Sequence, residues 1–552
     1  MAIDLFEIWE RYNKSKQYMD GKNILVKTEK NWLMYSGRQW EAVKDSEGMT
    51  NLPQMNFIKP TVNYKTSSIS STQVTALFSD LSLDNKETAK KLNDLFDISW
   101  EKSKMRKIGK TVLKHAAIAS SGDSYLFWGE GGDTRKPPQV LYNTQVHLGD
   151  ENISDFQSQP WIIIEERLDP KVLKARAKSA GASEKELNDL LGDNDTGSQL
   201  LNKQEVKGKV LSLVYMEKDP KTGFVSVAKC TKTVMYEKLH PVQQIKGGKY
   251  YGNGMTMYPM VQLVWETTPN SARGVSEVEQ LIPNQLELNK MLARRAISAK
   301  QCAFPKLAYD ESSVDNPDDI DKIGAKIRLN GGNAQSISNM IAYLSPASMS
   351  PDAEKLCEEL MGNTRTLAGA SDAQLGNIDL SRVSGTAAQT IRDQQQVPLN
   401  EQQETYQDFI ENIALLWFEF WRVYYPEGII MDDVMVTAEE LDEIIPTVRV
   451  DIAEDTSLSK MAMQQEIVNL FNSGKITFKE FVELYPEHSS IPKGDLERIQ
   501  QERDMQMQMG MMPIDETTGM PVLGLSLAEG GGVNPGGASS GSYQNIQSMM
   551  AG

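Results

Sequence analysis

The sequence predicts an α+β protein assembled from several compact units, and three observations carry that prediction. Apolar residues recur at 3–4 spacing before residue 120 and again after residue 274, as amphipathic helices require. Between residues 122 and 266 the period falls mostly to two, with aromatic and β-branched runs divided by Gly, Asp and Pro turn signals. A chain of 552 residues is also long enough for three or four units rather than one core.

Taken in order, residues 1–45 read as helical, with Leu5, Ile8, Trp9 and Tyr12 on one stripe and a helix end at Gly37. An irregular stretch with two prolines, LPQMNFIKP, follows. A helix is expected over Val62–Phe78. A longer one is expected from Lys86 to Ser120, with Leu92, Leu95, Phe96, Ile108 and Val112 on its buried side. Gly122 and Asp123 close it. Strands are then expected at Ser124–Trp128, Gln139–Leu141, Trp161–Arg167, Val210–Glu217, Gly223–Val227, Thr233–Lys238 and Met260–Trp265. A helical insertion at Pro170–Leu191 interrupts them and ends in the polar loop GDNDTGSQ.

From Gly274 the helical period returns. Val275, Val278, Ile282, Leu286, Leu292, Ala296 and Ile297 share one stripe, with Glu287, Lys290 and Arg294 opposite, and Pro305 ends the helix. Strand-like segments at Phe304–Tyr309, Ala325–Leu329 and Ile341–Leu344 sit between acidic and glycine-rich turns. Ser350, Pro351 and Asp352 then supply a cap, a first-turn proline and a first-turn acid for a helix to Leu367. The 17 small and polar residues Ala368–Ser384 are long for a structureless connection, and such loops are usually functional or disordered. A helix kinked at Pro398 is expected from Ser384 to about Tyr425. Shorter helices are expected around Met461–Asn472, Phe478–Leu484 and Asp495–Met509. The Met-, Gly- and Ser-rich end from about Gly510 has the composition of a disordered tail.

Composition narrows the chemistry. The 58 basic and 75 acidic residues leave a net charge of −17, which argues against tight duplex binding; it suits a surface that lets a polyanion slide past and equally a protein that is acidic merely for solubility. No apolar run approaches the ~18 residues of a membrane span; the most apolar segment, Ile413–Trp421, contains Glu419. Asp4, Glu7 and Glu10 at the start lead us to expect no secretory signal, and hence an intracellular or particle-bound protein. Cys230, Cys302 and Cys357 encode no disulfide framework or CxxC knuckle. His115, His147, His240 and His488 stand apart and read as core or surface histidines. A phosphate-binding GxxxxGK[ST] loop, a dinucleotide fingerprint and a GxSxG elbow are all missing. The acids Asp315, Asp318, Asp319 and Asp321 lack calcium-loop spacing and read as a solvated turn. We therefore expect no enzyme activity, no cofactor and no metal.

Two basic features remain. Lys102, Arg106, Lys110 and Lys114 recur every four residues and read as one solvated or salt-bridged helix face. Arg294, Arg295, Lys300 and Lys306 gather where the first of the paired helices ends, where a phosphate or partner contact is as good a reading.

The order of these elements resembles the portal (head-to-tail connector) family of tailed bacteriophages. YSGRQW, LPQMNFIKP, the run RGVSEVEQLIPNQLELNKMLARRAISAKQCAFPKL at Arg273–Leu307 and SRVSGTAAQ at Ser381–Gln389 carry the resemblance, which spans about residues 30–425. It implies a wing at 1–270 and 385–456, stem helices at 271–303 and 350–368, and a clip at 304–349. It further implies a tunnel loop at 369–384 and a helical crown at 457–509, with 510–552 as the tail. On this pattern Gln374, Asn377 and Arg382 would face DNA from the tunnel loop. Arg294, Arg295 and Lys300 would supply stem and channel cations. Lys306, Asp310, Asp318 and Asp319 would meet partners at the clip. The implied partners are further copies of the chain in a ring (usually a dodecamer) and the double-stranded DNA that threads it. The terminase large subunit, head-tail adaptor or tail proteins, and the major capsid and scaffolding proteins complete the set. The implied location is the portal vertex of a virion assembled in host cytoplasm. The competing expectations are another virion structural or scaffold protein without a channel, and a nuclease with carboxylates gathered from distant positions.

Overall fold

A computed structural model of the chain describes residues 3–42, 53–70, 73–80, 86–190, 208–246, 249–251, 254–303, 306–309, 341–344, 351–367, 399–432, 434–453, 467–484 and 498–501, with single positions between 312 and 328. Two compact units emerge, Met1–Glu454 and Asp455–Gly552. The chain is a mixture of helix and antiparallel sheet, as an α+β protein should be.

In the first unit, helix α1 (Leu5–Gly21) starts at Asp4, whose carboxylate accepts from the Glu7 N–H at 2.8 Å. Asn23 takes a left-handed conformation and separates it from α2 (Ile24–Ser36), which Gly37 closes at φ 88°. The expected N-terminal helical stretch is thus two helices. After α3 (Ile58–Ser70) comes a correction: the helix does not run on to Phe78. Instead β1 (Gln73–Asp80) pairs antiparallel with Pro446–Ala453, placing Val74 opposite Ile452 and Phe78 opposite Val448. Val74, Thr75 and Phe78 favour strand once a distant partner supplies the ladder, and local periodicity cannot register that partner. The expected Lys86–Ser120 helix is likewise split, into α4 (Lys86–Lys102) and α5 (Met105–Ile118), by Lys104 at φ 59°. Leu92, Leu95, Phe96 and Val112 are fully buried, as their stripe requires.

All seven expected strands form, within a few residues of their expected ends. They are β2 (Asp123–Phe127), β3 (Gln139–Tyr142), β5 (Trp161–Leu168), β6 (Val210–Lys218), β7 (Val225–Cys230), β8 (Met235–Pro241) and β11 (Met260–Val264). Unforeseen are β4 (Val146–Leu148) and the hairpin of β9 (Gln244–Lys246) and β10 (Lys249–Tyr251), each too short to show a period. Helices α6 (Pro170–Ser179) and α7 (Glu184–Asp189) fill the expected insertion; its polar loop lies outside the described residues. Strands β4-β5-β6-β7-β8 make an antiparallel sheet, and β11-β2-β3 a smaller one. The larger sheet is buried on both faces. Ile163, Leu213, Tyr215 and Ala228 pack under Ile8 and Tyr12 of α1, while Ile162, Ile164, Val214 and Met216 point into the main core.

That main core centres on the helix Asn400–Tyr424. Phe409, Ile413, Trp417, Phe420 and Trp421 are buried along it, and the Trp417 ring lies 5.1 Å from Phe96 and 6.3 Å from Trp128. Glu419, the charge inside the most apolar run, is buried but satisfied. It accepts from the Thr256 N–H and hydroxyl at 2.9 and 2.8 Å and pairs with Arg422 at 2.8 Å. Residues 385–398, where a kink was expected, lie outside the described residues. No helix among the described residues is long and apolar enough to cross a membrane.

The second unit contains a helical turn pair, 467–472 and Phe478–Leu484, as expected for these segments. Ile467, Phe481 and Val482 form its core, with the Phe471 ring tilted against Phe481 at 4.9 Å. Thr477 and Glu480 cap the second helix reciprocally.

Candidate functional site: an anchored helix and its return

The segment singled out by its long apolar stripe forms α8 (Glu277–Ala303), 27 residues and hence about 40 Å long. Its two halves differ. In the first, Val278, Leu281, Ile282 and Leu288 are buried in the main core. Beyond Ala293, burial fades: Arg294, Arg295, Ile297 and Lys300 are exposed. Ile297, placed on the apolar stripe, keeps 43% of its surface open to solvent.

Buried polar contacts fix the base of α8. Arg273, just before it, reaches Glu151 at 2.8 Å, Asp123 at 3.3 Å and the carbonyls of Asn143 and Val146 at 3.2 and 2.9 Å. Burial disfavours its charge, but Tyr125, Asp123 and Glu151 hold its pKa above the ordinary arginine value. Burial also pushes the Asp123 carboxyl up, against the pull of Arg273. Ser276 Oγ lies 3.0 Å from the Ala117 carbonyl and accepts from the Val278 N–H at 3.2 Å. Glu277 pairs with Lys65 at 2.8 Å, both side chains nearly enclosed, and accepts from the Trp265 indole N–H at 3.2 Å.

About two turns on, Gln285 and Asn289 project from one face at i, i+4 spacing and are fully buried. Gln285 Oε1 accepts from the Phe57 N–H at 3.1 Å and its amide donates to the Met55 carbonyl. Asn289 Oδ1 accepts from the Met55 N–H at 3.1 Å and its amide donates to Gln39. Gln39 donates in turn to the Met34 carbonyl at 3.2 Å, and Asn56 to that of Tyr35 at 3.0 Å. YSGRQW and the stretch Met55–Phe57, close in the chain, and the α8 sequence more than 200 residues later are therefore one physical joint.

After α8, β12 (Lys306–Tyr309) pairs antiparallel with β13 (Ile341–Leu344). Of the third expected strand, Ala325–Leu329, only Lys326 and Arg328 are described. They bond to the chain at Asp315 and Asn316: the Asp315 N–H donates to the Arg328 carbonyl at 3.1 Å, and the Asn316 side-chain amide to that of Lys326 at 2.8 Å. The helix Pro351–Leu367, within the bounds expected of it, then returns to α8, where Asn284 donates to Thr364 Oγ1 at 3.0 Å. Leu356 on this helix is 50% exposed.

The residues picked from sequence are placed as follows. Arg294, with its side chain 69% exposed, lies 3.8 Å from Glu287, and Arg295 and Lys300 are exposed in the same half of α8. Lys306 opens β12 opposite Leu344, and Asp318 is exposed. Asp310, Asp319, Gln374, Asn377 and Arg382 lie outside the described residues. The basic row is corrected: Lys102 belongs to α4 and Arg106, Lys110 and Lys114 to α5, because Lys104 breaks the helix. Lys102, Arg106 and Lys110 are exposed, in keeping with the solvated or salt-bridged face read from the sequence, and Lys114 is half-buried. Lys102 pairs with Asp432 at 2.6 Å, and Lys114 covers the Tyr35 ring at 4.8 Å. Arg273, Glu277, Gln285 and Asn289 escaped the sequence reading because only apolar positions were counted on the stripe. Polar residues inside that stripe were the available signal.

No known family model matches the chain, and no curated protein does. Among solved structures, a chain from the virion of a native gene transfer agent particle is similar at 12% identity. The match covers 77% of this chain and 88% of that one, with a TM-score of 0.34. A likeness of that degree carries no argument for this chain.

Proposed function

We propose that the chain is a portal subunit, forming with its copies a ring through which double-stranded DNA enters and leaves a phage capsid. The observation that carries this reading is the asymmetry of α8. Its base is locked by buried polar contacts, while its far half, the β12–β13 hairpin and the returning helix expose apolar side chains. Ile297 and Tyr309 are each 43% exposed and Leu356 50%. Neighbouring copies around a closed ring would cover such residues, because a heterologous contact that closes buries the same pair of faces in every copy.

In this reading the subunit performs no covalent chemistry. A net charge of −17 keeps the wall from gripping phosphate, and Arg294, Arg295 and Lys300 offer sequence-independent contacts as DNA passes. The terminase large subunit would dock at the hairpin region and supply ATP hydrolysis, and adaptor or tail proteins would follow it. Negative-stain electron microscopy and native mass test the proposal. We expect rings with a hole wide enough for a duplex and a mass about twelve times that of one chain. Compact dimers or tetramers without a channel would overturn it in favour of a virion scaffold role.

A further inference from the structure

A cluster away from α8 has the makings of a metal site, and it does not depend on the proposed role. Glu237 and His240 stand on β8, the edge strand of the five-stranded sheet, and Lys229 on its neighbour β7. Glu130 comes from the turn after β2, where its carbonyl accepts from the Tyr424 hydroxyl at the end of the aromatic helix. His240 Nε2 lies 2.7 Å from Glu237 Oε1 and 3.6 Å from Glu130 Oε2. The other oxygen of each carboxylate is taken by Lys229, at 2.5 Å for Glu130 Oε1 and 2.9 Å for Glu237 Oε2.

Two details favour a cation between the three. His240 Nδ1 is 3.3 Å from the Pro241 carbonyl, which can only accept, so the Nδ1 atom carries a proton. The Nε2 lone pair then faces two carboxylate oxygens, an arrangement that a positive charge between them must relieve. A proton on Nε2 is one such charge and a metal ion is the other. Lys229 meanwhile acts as an outer partner: it turns one oxygen of each carboxylate toward the imidazole and offsets one of the two negative charges.

We propose that Glu130, Glu237 and His240 bind a divalent cation of the zinc class. Their donor atoms all lie within 4.8 Å of one another, and one nitrogen and two oxygens leave a fourth position for water. The side chains are 18–23% exposed, so an ion can enter. Bound there, it ties the edge strand β8 to the turn after β2 and so to the aromatic helix.

The experiment uses the full chain, stripped with chelator and carrying Cys302→Ser to remove an exposed thiol. Zinc chloride is titrated at pH 7.5 by calorimetry and by thermal unfolding. We expect one zinc per chain, a rise in unfolding temperature, and binding at least tenfold weaker in His240→Gln and in Glu130→Gln. The two variants come from different segments, so one misfolded protein does not decide the result. Zinc binding that both variants retain would overturn the assignment. So would a cluster that gains stability only on acidification and ignores zinc, which would make the charge a proton.

Discussion

The ion pair at the root of α8 provides a demanding test of the anchored-helix argument. Lys65 and Glu277 meet at 2.8 Å with side chains only 9% and 10% exposed, and the second Glu277 oxygen holds the Trp265 indole. Glu277→Leu leaves a buried ammonium and a buried indole N–H without partners. Breaking a buried pair from one side costs about 3–5 kcal/mol. Lys65→Met combined with Glu277→Leu removes both charges and leaves only the indole orphaned, at about 1–3 kcal/mol. The double variant should therefore be more stable than the single one by at least about 1–2 kcal/mol. A chain of several units need not unfold in one step, so a global midpoint is a poor probe. Hydrogen exchange of the α8 amides, measured in wild type, both single variants and the double variant, reads the local free energy directly. A Glu277→Leu cost below about 1 kcal/mol, or a double variant no better than the single, would refute the claim that this pair anchors the helix.

Two further tests address other parts of the first unit. His115 is stacked 4.6 Å from Tyr142, and burial, with Lys114 beside it, pushes its pKa down to about 4. A histidine held neutral contributes stability that is fully present above its unfolded pKa of about 6.5 and is lost as pH falls toward the folded value. The wild type should thus lose roughly 2–3 kcal/mol between pH 7.5 and 4.5 relative to His115→Phe. Parallel pH–stability curves by denaturant titration would contradict this. At Gly122, φ is +61° and an added Cβ would lie 2.4 Å from the Val275 carbonyl oxygen. Gly122→Ala should cost at least about 2 kcal/mol and lower the thermal midpoint; an unchanged midpoint would mean that the chain crossing beneath α8 yields more easily than its geometry implies.

What could be read in the sequence was whatever depends on local periodicity. The α8 stripe, the first-turn proline of Pro351–Leu367 and the short, mainly apolar runs of β5 and β6 between turn signals each report on one element alone. What could not be read depends on partners distant in sequence. β1 looked helical because its mate lies at Pro446–Ala453, and the break at Lys104 has no glycine or proline beside it to announce it, whereas Gly21 was an available signal for the break at Asn23. The base of the candidate stem was half legible. Its apolar residues gave away the helix, but Gln285 and Asn289 became meaningful only when the backbone of Met55 and Phe57 was found against them.

That polar joint also explains how a helix with an exposed far end can have a defined position. Apolar packing is non-directional, so a stripe of Val278, Ile282 and Leu286 tolerates a slide of one turn. The pairing of Gln285 and Asn289 with the N–H groups of Phe57 and Met55, the Met55 carbonyl and Gln39 does not. A slip by one turn would leave these buried donors and acceptors unmatched, at about 1–3 kcal/mol each. Register at the base is therefore set by several kcal/mol, and because the joint lies beyond Pro283, the proline inside the helix, it fixes the stretch of about 20 Å that runs from Asn289 to Ala303. Polar groups in the apolar face of α8 cost stability wherever they lack partners; here they have them, and they determine where Arg294, Arg295, Lys300 and the hairpin beyond must stand.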